Sequence, residues 1–183
     1  MSAPAFALPP VGAPLLSLRH VCKSYGDKRA VNNVSLEVPR GSIYGFLGPN
    51  GSGKTTTIRS IMNIILPDSG EITLAGRPLE LSMRDRIGYL PEERGLYRKM
   101  KCQDQLVFLA RLKGVPRSVA RTRARQWLDR MELGAYADRK IDNLSKGMQQ
   151  KIQFAATFIG EPDLVILDEV FSGLDPLNIE LLR

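Results

Sequence analysis

The stretch Gly48-Pro49-Asn50-Gly51-Ser52-Gly53-Lys54-Thr55-Thr56 decides how the rest of the chain is read. It fits G-x-x-x-x-G-K-[ST], a loop whose glycine-permitted turns aim backbone N–H groups at phosphates while the lysine reaches the β- and γ-phosphates of a nucleotide. Its flanks have the required order. Before it, Ile43-Tyr44-Gly45-Phe46-Leu47 is a short, mostly apolar run after the turn-like Pro39-Arg40-Gly41, which predicts a buried strand. After it, the residues from Thr55 to Asn63 have helical character. Strand, glycine loop and helix together make a mere glycine turn the weaker reading.

Working outward, the N-terminal side holds two alternating stretches, Leu15 to Val21 and Val34 to Val38, which predict strands. Between them, Tyr25 stands beside Gly26 at a turn, where its ring could stack on a nucleotide base or simply face solvent. The single histidine, His20, lies in the first of these strands without other ligand types at metal spacing and reads as structural. Residues 1–14 are uncharged and proline-rich, lack the basic start and apolar centre of a secretory signal, and are expected to form a mobile tail.

On the C-terminal side, Glu71 to Gly76 and Ile87 to Leu90 read as further strands, and the latter ends in the acidic loop Pro91-Glu92-Glu93-Arg94-Gly95. Past Tyr97 the pattern turns helical, with Gln103 to Leu112 and Ser118 to Met131, which predicts a helical subdomain over about 98–160. The second of these helices bears Arg121, Arg123, Arg125 and Arg130. Positions two apart diverge on a helix, so a solvated face is expected rather than a basic stripe for nucleic acid. Ser145 can cap a long amphipathic helix bearing Ile152, Ala155, Ala156 and Ile159, and its free N–H groups make the Ser145 to Gln149 segment a second candidate for binding anions. Leu164-Val165-Ile166-Leu167 is then a continuous apolar run, as in a parallel strand covered on both faces, and it ends in Asp168-Glu169.

These features imply a chemistry. A nucleoside triphosphate brings Mg²⁺, which takes one or two oxygen ligands from protein. Thr55, directly after Lys54, can give a hydroxyl, and Asp168 at a strand end fits the metal-holding aspartate of phosphate-loop enzymes. Glu169 could activate the attacking water as general base.

Bulk properties allow this without demanding it. The 183 residues are 43% hydrophobic and 25% charged, ordinary for one globular domain, and the net charge of +7 speaks to association with anions rather than to fold. Cys22 and Cys102, the two cysteines, have neither zinc nor disulfide spacing and read as free thiols suited to a reducing cytoplasm. No apolar run approaches the roughly 18 residues that span a bilayer.

As a set, the motifs resemble the nucleotide-binding domain of ATP-binding cassette (ABC) transporters, over about Leu15 to Arg183. Gly48 to Thr56 matches the Walker A motif, Leu164 to Glu169 matches Walker B, and Leu144-Ser145-Lys146-Gly147-Met148-Gln149-Gln150 looks like the signature Leu-Ser-Gly-Gly-Gln. Ser172-Gly173-Leu174-Asp175-Pro176 is similar to the D-loop, and Tyr25 falls where the family stacks an aromatic on adenine. The resemblance implies an α/β fold: a P-loop NTPase core with a mixed sheet, an N-terminal antiparallel β subdomain and a helical signature subdomain. It also implies ATP and Mg²⁺ as cofactors and ATP hydrolysis that powers export through a separate transmembrane permease subunit. A second ABC ATPase domain pairs head to tail in the family, so that Ser145 and Gly147 of one chain contact the γ-phosphate held by Lys54 of the other. The chain would then be cytoplasmic, peripheral on the inner face of the plasma membrane through its partner alone, with no direct nucleic-acid contact.

Four departures bear on this resemblance. Glu92 stands where the family usually has the Q-loop glutamine; its carboxylate can still accept from a metal-bound water. Lys146 and Met148 replace a glycine and a glutamine of the signature, and Val170 replaces a common proline. The family's switch histidine would follow the D-loop, and the sequence stops before it, which gives the expectation of a C-terminally truncated domain that binds ATP and hydrolyses it poorly. The run from Gly88 to Tyr97 looks like the bacterial exporter subgroup that includes sodium-extrusion ATPases. The alternatives are a soluble ABC ATPase acting on ribosomes or DNA, and an ATP-binding module with little hydrolysis.

Overall fold

Strands β1 (Pro14–Tyr25) and β2 (Lys28–Pro39) form a long antiparallel hairpin turning at Gly26-Asp27 in the computed structural model, which describes residues 7–91 and 95–168. The apolar phase of β1 explains its loose alternation. Leu16 and Leu18 are buried, then the phase shifts to Val21, because the register slips between Leu18 and Val21 against β2. That bulge is built by His20 and Asn33, both at positive φ (51° and 52°), with His20 Nδ1 2.9 Å from Asn33 Oδ1. Gly70 packs underneath at φ 90°, where a Cβ would come within 2.5 Å of the His20 carbonyl oxygen, so only glycine lets the backbones approach. The structural role expected of His20 is thereby given a mechanism.

β3 (Ser69–Leu74) pairs antiparallel with β1 and with the short β4 (Arg77–Pro78), giving the sheet order β2-β1-β3-β4. The phosphate loop leads into α1 (Lys54–Ile61), which buries Thr57, Ile58, Ser60 and Ile61. The end of the segment expected as a tail is held in place: Gly12 N donates to Arg40 O at 3.0 Å, Arg40 N to Ala13 O at 2.8 Å, and the Arg40 guanidinium to Pro9 O at 2.7 Å. Backbone pairing and one long cation replace the freedom expected from proline content.

One expectation is overturned. Ile43 to Leu47 is neither a strand nor buried: it pairs with no described residue, and Ile43 and Leu47 are 104% and 92% exposed. A strand exists through its neighbours' hydrogen bonds, and an apolar run alone does not supply them.

The chain divides into two compact units between Arg84 and Asp85. In the second, β5 (Ile87–Leu90) and β6 (Leu164–Leu167) pair in parallel, in register from Ile87 with Leu164 to Leu90 with Leu167. β6 is parallel as expected but less covered: Leu164 is buried, Val165 and Ile166 are half-buried and Leu167 is exposed. Helices α2 (Cys102–Leu112), α3 (Arg117–Arg130) and α4 (Lys146–Phe158) enclose a core of Cys102, Leu106, Ala110, Ala120, Ala124, Leu128, Ile141, Ile152, Ala155 and Ile159. Apolar residues three and four apart build each inner face, and alanines let the helices come close. α4 also packs on β5 at Gly88, where a Cβ would lie 2.7 Å from the Thr157 carbonyl oxygen. On α3, Arg123 turns inward to Glu161 at 2.6 Å, as the spacing by two predicts. Arg117, Arg121 and Arg125 are exposed at spacing four, however, so a basic row forms after all.

Candidate functional site

The phosphate loop is shaped by two glycines in the left-handed region, Gly51 at φ 80° and Gly53 at φ 92°. Gly53 is the N-cap of α1, and a side chain there would collide with the Ala30 carbonyl oxygen of β2. The same contact locates the loop. Ala30 lies two residues along β2 from Lys28, the cross-strand partner of Tyr25. The glycine loop and the hairpin end bearing Tyr25 are therefore connected through a backbone approach that no other residue type would permit.

No side chain caps α1, and its first turn has no acid. Its leading N–H groups, with the positive end of the helix dipole, face outward for an anion. Lys54 is the first helical residue, and its Nζ donates to Gly48 O at 2.6 Å and Pro49 O at 3.0 Å, so the cation lies across the loop mouth. Ser52 N donates to Pro49 O at 3.2 Å, closing the turn that carries Asn50 and Gly51. The hydroxyls of this helix are divided in role. Thr57 Oγ1 donates to Gly53 O at 2.9 Å and Ser60 Oγ to Thr56 O at 3.0 Å, whereas the exposed Thr55 hydroxyl has no hydrogen bond to a described residue. The Thr55 oxygen is therefore open to solvent.

Tyr25 is half exposed, with Lys23 Nζ 5.8 Å from its ring centroid. Lys23 is tethered to Asp68 at 2.7 Å, and Asp68 also accepts from Ser24 N at 2.7 Å. The bond from Lys23 and then that from Ser24 hold the Asp68 carboxyl below the usual carboxylate range. Asp68, not singled out from sequence, thus stiffens the strand end that presents Tyr25. Only its place beside a glycine turn, Pro67 to Gly70, hinted at it.

In the second unit, Asp168 emerges from β6 beside Pro91, which follows β5, at the carboxyl ends of the two parallel strands. Ligands of open α/β sheets gather at such ends. Asp168 N donates to Leu90 O at 2.9 Å and the Tyr89 hydroxyl donates to Asp168 Oδ2 at 3.2 Å. One carboxylate oxygen is thus oriented by a neighbour from the adjacent strand. A free hydroxyl at Thr55 and an oriented carboxylate at Asp168 are hard oxygen donors of the kind Mg²⁺ takes. Glu92 and Glu169, the expected water acceptor and general base, lie outside the described residues, as does the run from Ser172 to Pro176.

Ser145 caps α4 as expected, its Oγ accepting from Met148 N at 3.3 Å. Gly147 sits in the first turn with open space where a Cβ would stand. Gln149 ties this helix start to the preceding turn, its Nε2 donating to Ile141 O at 3.2 Å and Leu144 O at 3.0 Å. That brace links the first turn of α4 to the carbonyls of Ile141 and Leu144.

The family model for the ABC transporter matches residues 31–172. The chain is 49% identical to the uncharacterized ABC transporter ATP-binding protein YhaQ of Bacillus subtilis, over 92% of this chain and 57% of that one. It is 37% identical to the Nod factor export ATP-binding protein I of Burkholderia orbicola, over 88% of this chain and 54% of that one. Among solved structures, the ATP-binding subunit of an ABC transporter superposes with a TM-score of 0.83 at 32% identity, covering 92% of this chain and 71% of that one. cbiO1 from Clostridium perfringens, part of the ABC transporter complex cbiONQ, gives 0.80 at 26% identity, covering 93% and 72%. The chain spans little more than half the length of the curated relatives it matches. With the glycine loop, the oriented aspartate and the capped signature helix in place, the chain belongs to the ABC transporter family and carries its ATP-binding domain.

Proposed function

We propose that the chain binds MgATP at Gly48 to Thr56 and contributes to its hydrolysis, which drives export through a separate membrane subunit. The observation that carries this reading is the loop's own geometry: Gly51 and Gly53 at positive φ lead straight into an uncapped helix whose first residue is Lys54. In this reading the Lys54 cation turns from the loop carbonyls to the β- and γ-phosphates, and Tyr25 stacks on the adenine. Thr55 and Asp168 would hold Mg²⁺, which would help to neutralise the phosphates; Glu92 would offer an acceptor to water near the metal, and Glu169 would take the proton of the attacking water. Ser145 and Gly147 complete the site of a second ABC domain arranged head to tail. Their helix start alone is too weak an anion site, since an exposed helix dipole is worth only about 0.3–1 kcal/mol.

Export rather than another use of ATP is supported by relatives that bear export in their names, the Nod factor proteins. Among the described residues no helix is long and apolar enough to cross a membrane. In this reading the domain lies at the inner face of the membrane through its permease partner. Titration of a fluorescent ATP analogue with Mg²⁺ present tests the binding step. Lys54→Ala should weaken affinity roughly 10- to 100-fold, as expected for losing charge-assisted bonds to phosphate. Equal affinity in wild type and variant overturns the assignment of the loop. Glu169→Gln should trap an ATP-bound dimer, and undiminished turnover would remove Glu169 as the base.

A further inference from the structure

Two short segments far apart in the sequence are fastened side by side at the start of α2. Lys101 and Lys140 are antiparallel bridge partners, while Cys102 N donates to Arg139 O, Ile141 N to Met100 O and Asp142 N to Arg98 O, each at 3.0 Å. The pairing gathers exposed cations into one ledge: Arg98, Lys99 and Lys101 from the approach to α2, with Arg139 and Lys140 from the turn before α4. Neither segment makes such a cluster by itself.

Cations outnumber acids on this ledge. Asp138 and Asp142 belong to it, and Asp104 stands one turn along α2. Lys101 reaches Asp138 at 3.3 Å, a pair so exposed that water and salt keep it weak. Arg98, Lys99, Arg139 and Lys140 pair with no acid among the described residues. Like charges held together in this way repel one another in the free chain, and an anionic partner relieves the repulsion.

We propose that this ledge is a contact surface for the anionic headgroups of a lipid bilayer, met by Arg98, Lys99, Lys101, Arg139 and Lys140. It extends the reading above that the domain lies at a membrane, and gives the chain a bilayer contact of its own. Clusters of about four to eight Lys and Arg suit such a surface, because the number of charges rather than a fixed shape is read. A partner protein fits less well, since the centre of the ledge offers no exposed apolar anchor: Met100 is half-buried and Ile141 is fully buried. A nucleic acid also fits less well. The tyrosine rings beside the ledge are engaged, Tyr97 with Phe108 at 5.6 Å between centroids and Tyr136 beneath the Arg139 guanidinium at 5.3 Å, which disfavours base stacking. The ledge is loop and turn, not a helix that could enter a groove.

The test is co-sedimentation of the whole chain, without nucleotide, with vesicles of phosphatidylcholine alone or mixed with phosphatidylglycerol. The chain should bind the mixed vesicles and not the neutral ones, and binding should fall steeply as salt is raised. Lys99→Glu/Lys140→Glu should lower the partition coefficient at least about tenfold with an unchanged circular dichroism spectrum, and the gentler Lys99→Gln/Lys140→Gln should give a smaller loss in the same direction. A Lys28→Glu/Arg29→Glu variant, which makes the same charge change in the other unit, should bind as wild type. No binding to mixed vesicles, no loss in the Lys99/Lys140 variants, or an equal loss in the Lys28/Arg29 variant overturns the proposal. So does binding of a fluorescein-labelled oligouridylate that depends on Lys99 and Lys140 while the vesicles are not bound. Because nucleotide is absent, such a failure leaves the phosphate loop's assignment standing, and that assignment is tested separately by Lys54→Ala.

Discussion

The Tyr89 hydroxyl donates to Asp168 Oδ2 at 3.2 Å, across two parallel strands whose ends are level. The bond orients a carboxylate that the sequence marks as a candidate metal ligand without showing what aims it. If Asp168 holds Mg²⁺ as proposed, a phenol that orients it should matter to metal-dependent binding more than to folding. Tyr89→Phe is expected to lower Mg²⁺-dependent affinity for ATP by roughly 2- to 10-fold, the range of one net hydrogen bond, with little change in binding measured in EDTA. Equal losses with and without Mg²⁺ would mean that the hydroxyl serves packing instead.

Gly53 should tolerate no side chain. Its φ of 92° is strained for any other residue, and a Cβ would strike the Ala30 carbonyl oxygen. The left-handed backbone alone costs roughly 1–2 kcal/mol, before the collision is counted. Gly53→Ala is expected to lower Tm by at least about 3 °C and to abolish nucleotide binding, because relieving the contact must move the start of α1. Calorimetry with and without ATP checks both parts.

Gly88 plays the corresponding role between β5 and α4. A Cβ at this position would stand 2.7 Å from Thr157 O and 3.0 Å from the Pro162 ring, so Gly88→Val should cost about 1–3 kcal/mol as overpacking. Denaturant titration measures the loss. Thr157→Ser, which removes a Cγ2 that would stand 3.1 Å away, should relieve only part of the loss, since the nearest obstructing atom is the backbone carbonyl oxygen.

Asp68 should make the hairpin end sensitive to acid. Its pKa is lowered in the folded protein by the bond from Lys23 and then that from Ser24, so its contribution to stability is full above the unfolded value, near 4, and is lost as pH falls through the lower folded value. The stability difference between wild type and Asp68→Asn is therefore expected to be constant from about pH 5 upward and to shrink below about pH 4. The exposure of this pair makes the effect small and sensitive to salt. A difference that grows in acid would contradict the assignment.

Much of the fold was legible because local patterns and tertiary demands agreed. Leu106 and Ala110, or Ile152, Ala155 and Ile159, sit at helical spacing and are buried on the faces their spacing names. Ser145 reads as a cap and is one. The departures arise where a neighbour decides. The bulge at His20 needs Asn33 and Gly70 from other strands, so the sequence shows only a faltering alternation. The exposed row of Arg117, Arg121 and Arg125 is hidden by the intervening Arg123, which turns to Glu161.

By itself, then, the amino-acid sequence determined the phosphate loop, the acidic strand end, the signature helix and hence the family, because glycines, a lysine and carboxylates at fixed spacing are local chemistry. Tertiary structure decided what local chemistry cannot: that Gly53 rests on Ala30, that Tyr89 aims Asp168, and that Gln149 braces the turn before α4. It also left Ile43 to Leu47 exposed and, among the described residues, unpaired despite their apolar character. Contacts between residues far apart in the chain depend on pairing partners and on close backbone approach, and neither is encoded in the spacing of any single segment.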